Sequence, residues 1–333
     1  MKQKLLAAGL LFCCFCWLAV LTGTLPVLTP AGAISAEWLP SPEPSPSPTQ
    51  TPEPAESSSP SPTETFIPSE IIEESPTPIE EPDDRLIPTT ITGPSLLDND
   101  TDYGLDEEEL LAEGVRLPLP SEGAQILIVH THTTEAYRST AEDPYDDEGD
   151  CRTTDPAHNV VRVGDALAEA LARYGLRVVH DTTIHDDPSY SGSYARSGET
   201  VEARLAEEPG IALVIDLHRD ALGDGDVTYK TLADIDGVEA AQLMFVMGSD
   251  VNLDHPNWRE NLRLALTLHR AVAERYPTLM RPTVLCDYRY NQQLSPGALL
   301  LEVGTSGNTM AEAIEGVERF AEVVGPILAS WAE

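Results

Sequence analysis

Proline sorts this chain. Seventeen of its 28 prolines fall within residues 39–120, in runs such as PSPEPSPSPTQTPEP. Each one removes a backbone donor and holds φ near about −65°. With few apolar residues to bury, such a stretch has nothing to offset the entropy of ordering it. Residues 39–120 are therefore expected to be a disordered, acidic, proline-rich linker between a start and a domain. Fully extended at about 3.1 Å per residue, it would reach on the order of 200 Å.

Ahead of the linker, Lys2 and Lys4 precede an uncharged run from Leu5 to Leu21, and no acid appears before Glu37. Residues 1–38 read as a cytoplasmic start and a transmembrane anchor; Phe12, Phe15 and Trp17 favour a span. The competing reading is a signal peptide cleaved after AGA at Ala31–Ala33. Either way, lysines on the N-terminal side place the rest of the chain outside the cytoplasm.

From about Gln125 the texture changes. Residues 121–333 read as one domain in which apolar strands alternate with amphipathic helices. Strands are expected at 125–129, 176–180, 211–217, 228–234, 241–248, 283–287 and 298–303. Helices are expected at 159–174, 194–206, 258–276 and 309–332, with a short one in LDEEELLAEGV (residues 105–115). The turn IDG at Ile235–Gly237 joins two of the strands. This alternation predicts an α/β fold, a mostly parallel sheet flanked by helices.

The net charge of −36 offers no basic face, so a nucleic-acid partner is excluded. Cys13, Cys14 and Cys16 lie in the apolar run. Only Cys151 and Cys286 remain, too few for a disulfide scaffold, and either a pair or two unrelated thiols.

In open α/β sheets ligands gather beyond the carboxyl ends of strands. Three expected strands end in unusual chemistry: HTHTTE (His130–Glu135), IDLHRD (Ile215–Asp220) and LLLEVG (Leu299–Gly304). If they are neighbours, His132, Glu135, His218 and Glu302 converge. Two histidines and a carboxylate with water form a catalytic zinc arrangement, and a further glutamate can act as its general base. Singly, each residue also has a structural reading, such as Glu302 paired with Arg219.

The stretches HTHTTEAY, RTTDPAHNVVRVGDAL, HDTTIHDDPSYSGSYARSGETV, VIDLHRDA, HPNWRENL and RYNQQLSPGALLLEVGTSGNT resemble the stage II sporulation protein P family, in matching order across residues 125–325. That resemblance implies a membrane-anchored peptidoglycan hydrolase with a zinc amidase-like fold. Its activities would be N-acetylmuramoyl-L-alanine amidase and endopeptidase, exercised during spore engulfment in the space between two membranes. The implied partners are stage II sporulation proteins D and M. Carried over, His132, Glu135 and His218 are the expected Zn²⁺ ligands and Glu302 the catalytic acid–base. His130 is the competing ligand or the hydrogen-bond partner of one. The departure is Glu135: in the wider amidases the ligand glutamate opens a later helix, and here that start reads DPAHNV. Arg219 and Asn291 are expected to bind substrate, or else to serve as a salt bridge and a loop cap. Two rival functions are a wall-binding scaffold that cuts nothing and a metallo-endopeptidase confined to peptide cross-links.

Overall fold

A computed structural model describes residues 85–146, 151–224 and 226–332. The anchor, the signal-peptide alternative and most of the linker lie outside these residues. No helix among the described residues is long and apolar enough to cross a membrane.

The ordered part starts earlier than residue 121. Leu86–Thr89 (β1), Leu97–Asn99 (β2) and Glu107–Ala112 (α1) all fall within the stretch expected to be disordered linker. The reason is local: Asp106 caps α1 by accepting from the Glu109 amide, and Leu110 and Leu111 are buried. Prolines thin out there, and the few apolar residues find strand edges to join.

The domain then follows the expected alternation: Ile126–Val129 (β3), Val160–Ala172 (α2), Val178–His180 (β4), Ser193–Glu207 (α3) and Leu213–Asp220 (β5). Thr228–Ile235 (β6), Val238–Ala241 (β7), Leu243–Gly248 (β8), Trp258–Arg275 (α4), Thr283–Cys286 (β9), a 3₁₀ turn at Gln292–Leu294, Ala298–Thr305 (β10) and Met310–Ala329 (α5) complete it. Asn159 starts α2 by accepting from the Val161 amide, and Thr309 with Glu312 closes a capping box on α5.

The expected strand 241–248 is β8, and the turn at Ile235–Gly237 leads not to it but to a further short strand, β7. β7 turns back on β6 through Asp236 and Gly237, both at positive φ, and β8 continues into another sheet. Period-two patterning cannot register a change of sheet when both segments are apolar.

The main sheet has the order β2-β9-β8-β10-β5-β3-β4, with β1-β6-β7 as a second, three-stranded sheet. Every neighbouring pair in the main sheet is parallel except β10 with β8. The central strands are buried along nearly their whole length, as strands covered on both faces must be.

Alternation assigns the faces. Ile126, Ile128, Leu213, Ile215, Leu217, Leu299, Leu301 and Val303 pack on α2, α4 and α5 in the large core. Leu127, Val129, Val214 and Ala298 face the other way, against Val201 of α3. Cys286 is a buried free thiol, so it and Cys151 do not form a disulfide with each other.

Candidate active site

Strand parity builds the site. On β5, residues 214, 216 and 218 share the α3 side of the sheet, and on β10 residues 298, 300 and 302 do. β5 and β10 pair with Glu302 directly beside His218, so their side chains rise together. Just beyond, the register shifts and Gly304 takes φ +63°, a bulge that interrupts the pairing next to Glu302 before it resumes at Thr305 with Asp220.

β3 contributes through the turn that follows it. The threonines of HTHTTE pin that turn. The Thr131 amide and hydroxyl donate to the Asp216 carboxylate at 2.8 and 2.7 Å, and Thr134 does the same to Asp186 at 3.1 and 2.7 Å. Thr133 Oγ1 donates to the carbonyl oxygens of His130 and Thr183. The turn then delivers His132 into ring contact with His218, centroids 5.3 Å apart at 84°. Glu135 arrives with Oε2 3.4 Å from His218 Nδ1.

So His132, Glu135, His218 and Glu302 come together on one side of the sheet. Asp216 backs His218 from behind, its Oδ1 2.9 Å from Nε2 in ion-pair contact off the ring N–H axis. His132 shares a hydrogen bond through Nε2 with the Tyr190 hydroxyl at 3.0 Å, and the two rings stack at 4.4 Å. His132 Nδ1 and Glu302 Oε2 are buried with no hydrogen-bond partner. Buried polar atoms left in that condition are costly, and they mark a place built for something else.

The electrostatics are pulled apart. Desolvation lowers His132 to about 4 and lifts Glu302 to about 8. Burial alone would lower His218 and raise Glu135. Instead, the Asp216 and Glu135 carboxylates hold His218 well above the usual imidazole range, and His218 holds Glu135 below the usual carboxylate range.

The other sequence candidates are not brought to this face. His130 continues the Ile126–Ile128 row of β3: its Nδ1 pairs with the Leu217 carbonyl at 2.8 Å and its Nε2 with His180 Nε2 at 2.8 Å. His180 in turn meets Asp165, so His130 belongs to the α2 side and is no rival ligand. Arg219 likewise follows β5 away from His218. It is buried and donates to the carbonyls of Ala136 and Cys151, which occupies it with holding the backbone instead of with substrate. Asn291 sits at φ +57° and donates to the Tyr194 carbonyl at 2.7 Å and Ser197 Oγ at 3.1 Å, fastening its loop to α3.

Three residues that the sequence reading passed over belong here. Asp216 was legible, because it stands two residues before His218 on a strand and so must share its face. Tyr190 and Arg152 carried no such signal. They come from loops, with Arg152 2.9 Å from Asp186 and 3.4 Å from Glu135, its guanidinium 5.0 Å over the Tyr190 ring.

One pair of these donors has the spacing of cation ligands. Two ligands at about 2.0–2.2 Å on a tetrahedral ion stand about 3.4 Å apart, which is the separation of His218 Nδ1 and Glu135 Oε2. The partnerless Nδ1 of His132 is a third donor of the right kind. Among the described residues, no three His, Cys, Asp or Glu side chains already stand gathered around one point.

The fold and the site together define an α/β domain with a buried histidine–carboxylate centre on the central strands of its main sheet. The chain belongs to the stage II sporulation protein P family, whose model matches residues 51–325. It is 30% identical over 209 residues to stage II sporulation protein P of Bacillus subtilis (strain 168), a match covering 60% of this chain. It spans about half, 49%, of that relative's length. Among solved structures, it is similar to the N-acetylmuramoyl-L-alanine amidase of Clostridium difficile 630 at 13% identity, covering 63% of this chain and 96% of that one, with a TM-score of 0.34. For the catalytic domain of the amidase CwlV from Bacillus (Paenibacillus) polymyxa the values are 12%, 62%, 97% and 0.36.

Proposed function

We propose that this chain is a cell-wall hydrolase that cleaves the amide between N-acetylmuramic acid and L-alanine in peptidoglycan, and peptide cross-links as well, during spore engulfment. The observation that carries this reading is Glu302: its Oε2 is sealed from water without a partner, in register with a histidine that is itself clamped between two carboxylates. A purely binding surface has no use for such a group.

In this reading His132, Glu135 and His218 hold Zn²⁺, which when bound lowers the pKa of a water and polarises a carbonyl. Glu302 takes the proton of the attacking water at its free Oε2 and later returns it to the leaving amine. Desolvation to about 8 keeps this carboxyl near the range where both transfers are accessible at neutral pH. Asp216 holds the imidazole of His218 so that Nδ1 faces Glu135. The turn threonines fix His132 in place, and the apolar rows beneath the site exclude water from the sheet. The N-terminal segment anchors the domain outside the cytoplasm, where stage II sporulation proteins D and M are its partners.

Purified sacculi incubated with the protein and read by mass spectrometry test this. Stem peptides and naked glycan strands are expected, and Glu302→Gln is expected to lower their release by about 10²–10⁴-fold while metal content stays as in the parent. Equal release by the Gln variant refutes the acid–base role. The absence of any new amine termini from the parent chain leaves only a binding scaffold. Cross-link cleavage without naked glycan leaves only an endopeptidase.

A further inference from the structure

From His132 a continuous series of aromatic rings leads outward. Tyr190 stacks on His132 at 4.4 Å, and Tyr194 meets the His132 edge at 5.5 Å. Tyr290 follows Tyr194 at 5.7 Å, and Tyr288 follows Tyr290 at 6.1 Å. Tyr190 is held between His132, stacked on its ring, and the Arg152 guanidinium over it, so the outward series is Tyr194, Tyr290 and Tyr288; Tyr288 at its outer end is 58% exposed, and Tyr194 and Tyr290 are half-buried. Asn291 locks the strip together, because its amide donates to the backbone of Tyr194 and to Ser197 and so ties the loop of Tyr288 and Tyr290 to α3. The strip is therefore set before any ligand arrives.

Rows of exposed aromatic rings serve polymers made of flat or ring-shaped units. Nucleic-acid strands use such platforms, but they also need cations along the backbone. This chain has a net charge of −36. The two arginines bordering the strip are already engaged with protein acceptors, Arg289 with the Asp254 carbonyl at 2.8 Å and Arg152 with Asp186 and Glu135. A polyphosphate is disfavoured, and so is a peptide rich in carboxylates. What remains is an uncharged polymer of rings with one C–H-rich face and a fringe of hydroxyl and acetamido groups. Tyrosine offers that partner both an apolar face and a phenolic hydroxyl.

We infer that the strip Tyr194–Tyr290–Tyr288 is a subsite for the glycan strand, stacking successive N-acetylated sugars so that one muramoyl linkage is presented to Glu302. This deepens the hydrolase reading above and rests on it for the position of the scissile bond, but not for sugar binding itself. The strip runs from the candidate centre to the outside, so the sugar chain enters along it.

The test uses the full chain carrying Glu302→Gln, with a β-1,4-linked tetramer of N-acetylglucosamine as the probe and calorimetry as the readout. Saturable binding is expected, weakened at least fivefold by adding Tyr288→Ala and retained by Tyr288→Phe, which keeps the ring. Tyr288 is exposed, so the Ala variant is expected to fold, and its circular dichroism melt checks that it does. The inference is overturned if the tetramer does not bind, if Tyr288→Ala binds it as tightly as its parent, or if Tyr288→Ala weakens a free stem peptide and leaves the sugar unaffected. Failure of the hydrolase reading looks different: wild-type chain that binds the tetramer with this Tyr288 dependence and still leaves sacculi uncut keeps the subsite and loses the enzyme.

Discussion

His269 lies on α4, 3% exposed, with Nδ1 2.9 Å from Thr283 Oγ1 and far in sequence from the residues of the active centre. Burial lowers it to about 4, opposed only by the carboxylate of Glu107. The folded state therefore keeps this ring neutral at pH values where the unfolded chain protonates it. Between about 6.5 and 4 the unfolded state binds more protons, so stability falls as pH falls. A shift from about 6.5 to about 4 is worth about 3 kcal/mol once the pH is below both values, at about 1.4 kcal/mol per unit. Over the experimentally easy window from pH 7 to pH 5, the same titration accounts for a loss of about 2 kcal/mol. His269→Asn removes the titration, and its packing cost is the same at both pH values. Urea unfolding of parent and variant at pH 7 and pH 5 gives the comparison. The parent is expected to lose about 2 kcal/mol more than the variant. Equal losses would mean that the His269 ring is protonated in the folded state, and the argument from burial would be wrong.

Three further outcomes are expected. Asp216→Asn is expected to weaken metal binding by about 10–100-fold, read by competition with a chromophoric chelator, while Asp216→Glu recovers part of it; unchanged affinity would reduce Asp216 to a turn support for Thr131. His132→Ala and His218→Ala are each expected to lose the metal by elemental analysis, whereas His130→Ala, which alters the α2 side, is expected to keep it. Gly248→Ala would set a methyl 2.0 Å from the Tyr288 carbonyl oxygen, forcing the loop that bears Tyr288 and Asn291 to move, with a loss of more than about 2 kcal/mol in urea unfolding.

The sequence by itself determined a good deal. Helical spacing located α2 to α5, with capping residues marking the starts of α2 and α5, because those signals are local and do not depend on what the helices pack against. The three tips HTHTTE, IDLHRD and LLLEVG were legible because a polar residue in an apolar strand breaks a pattern, and three such breaks coincided. Other decisions needed the folded sheet. Only the pairing of β5 with β10 sets Glu302 beside His218, and only the strand order brings β3 next to them, since neighbours in a parallel sheet are far apart in sequence. Parity then separated residues that the sequence lists side by side, since Asp216 stands with His218 and Arg219 does not; His130 and His132 share a parity, and it is the turn after β3 that leaves His130 towards α2 and swings His132 to Tyr190. Tyr190 and Arg152 come from loops without periodicity, so no rule of spacing could place them. Their positions follow from backbone contacts that form only when distant segments meet.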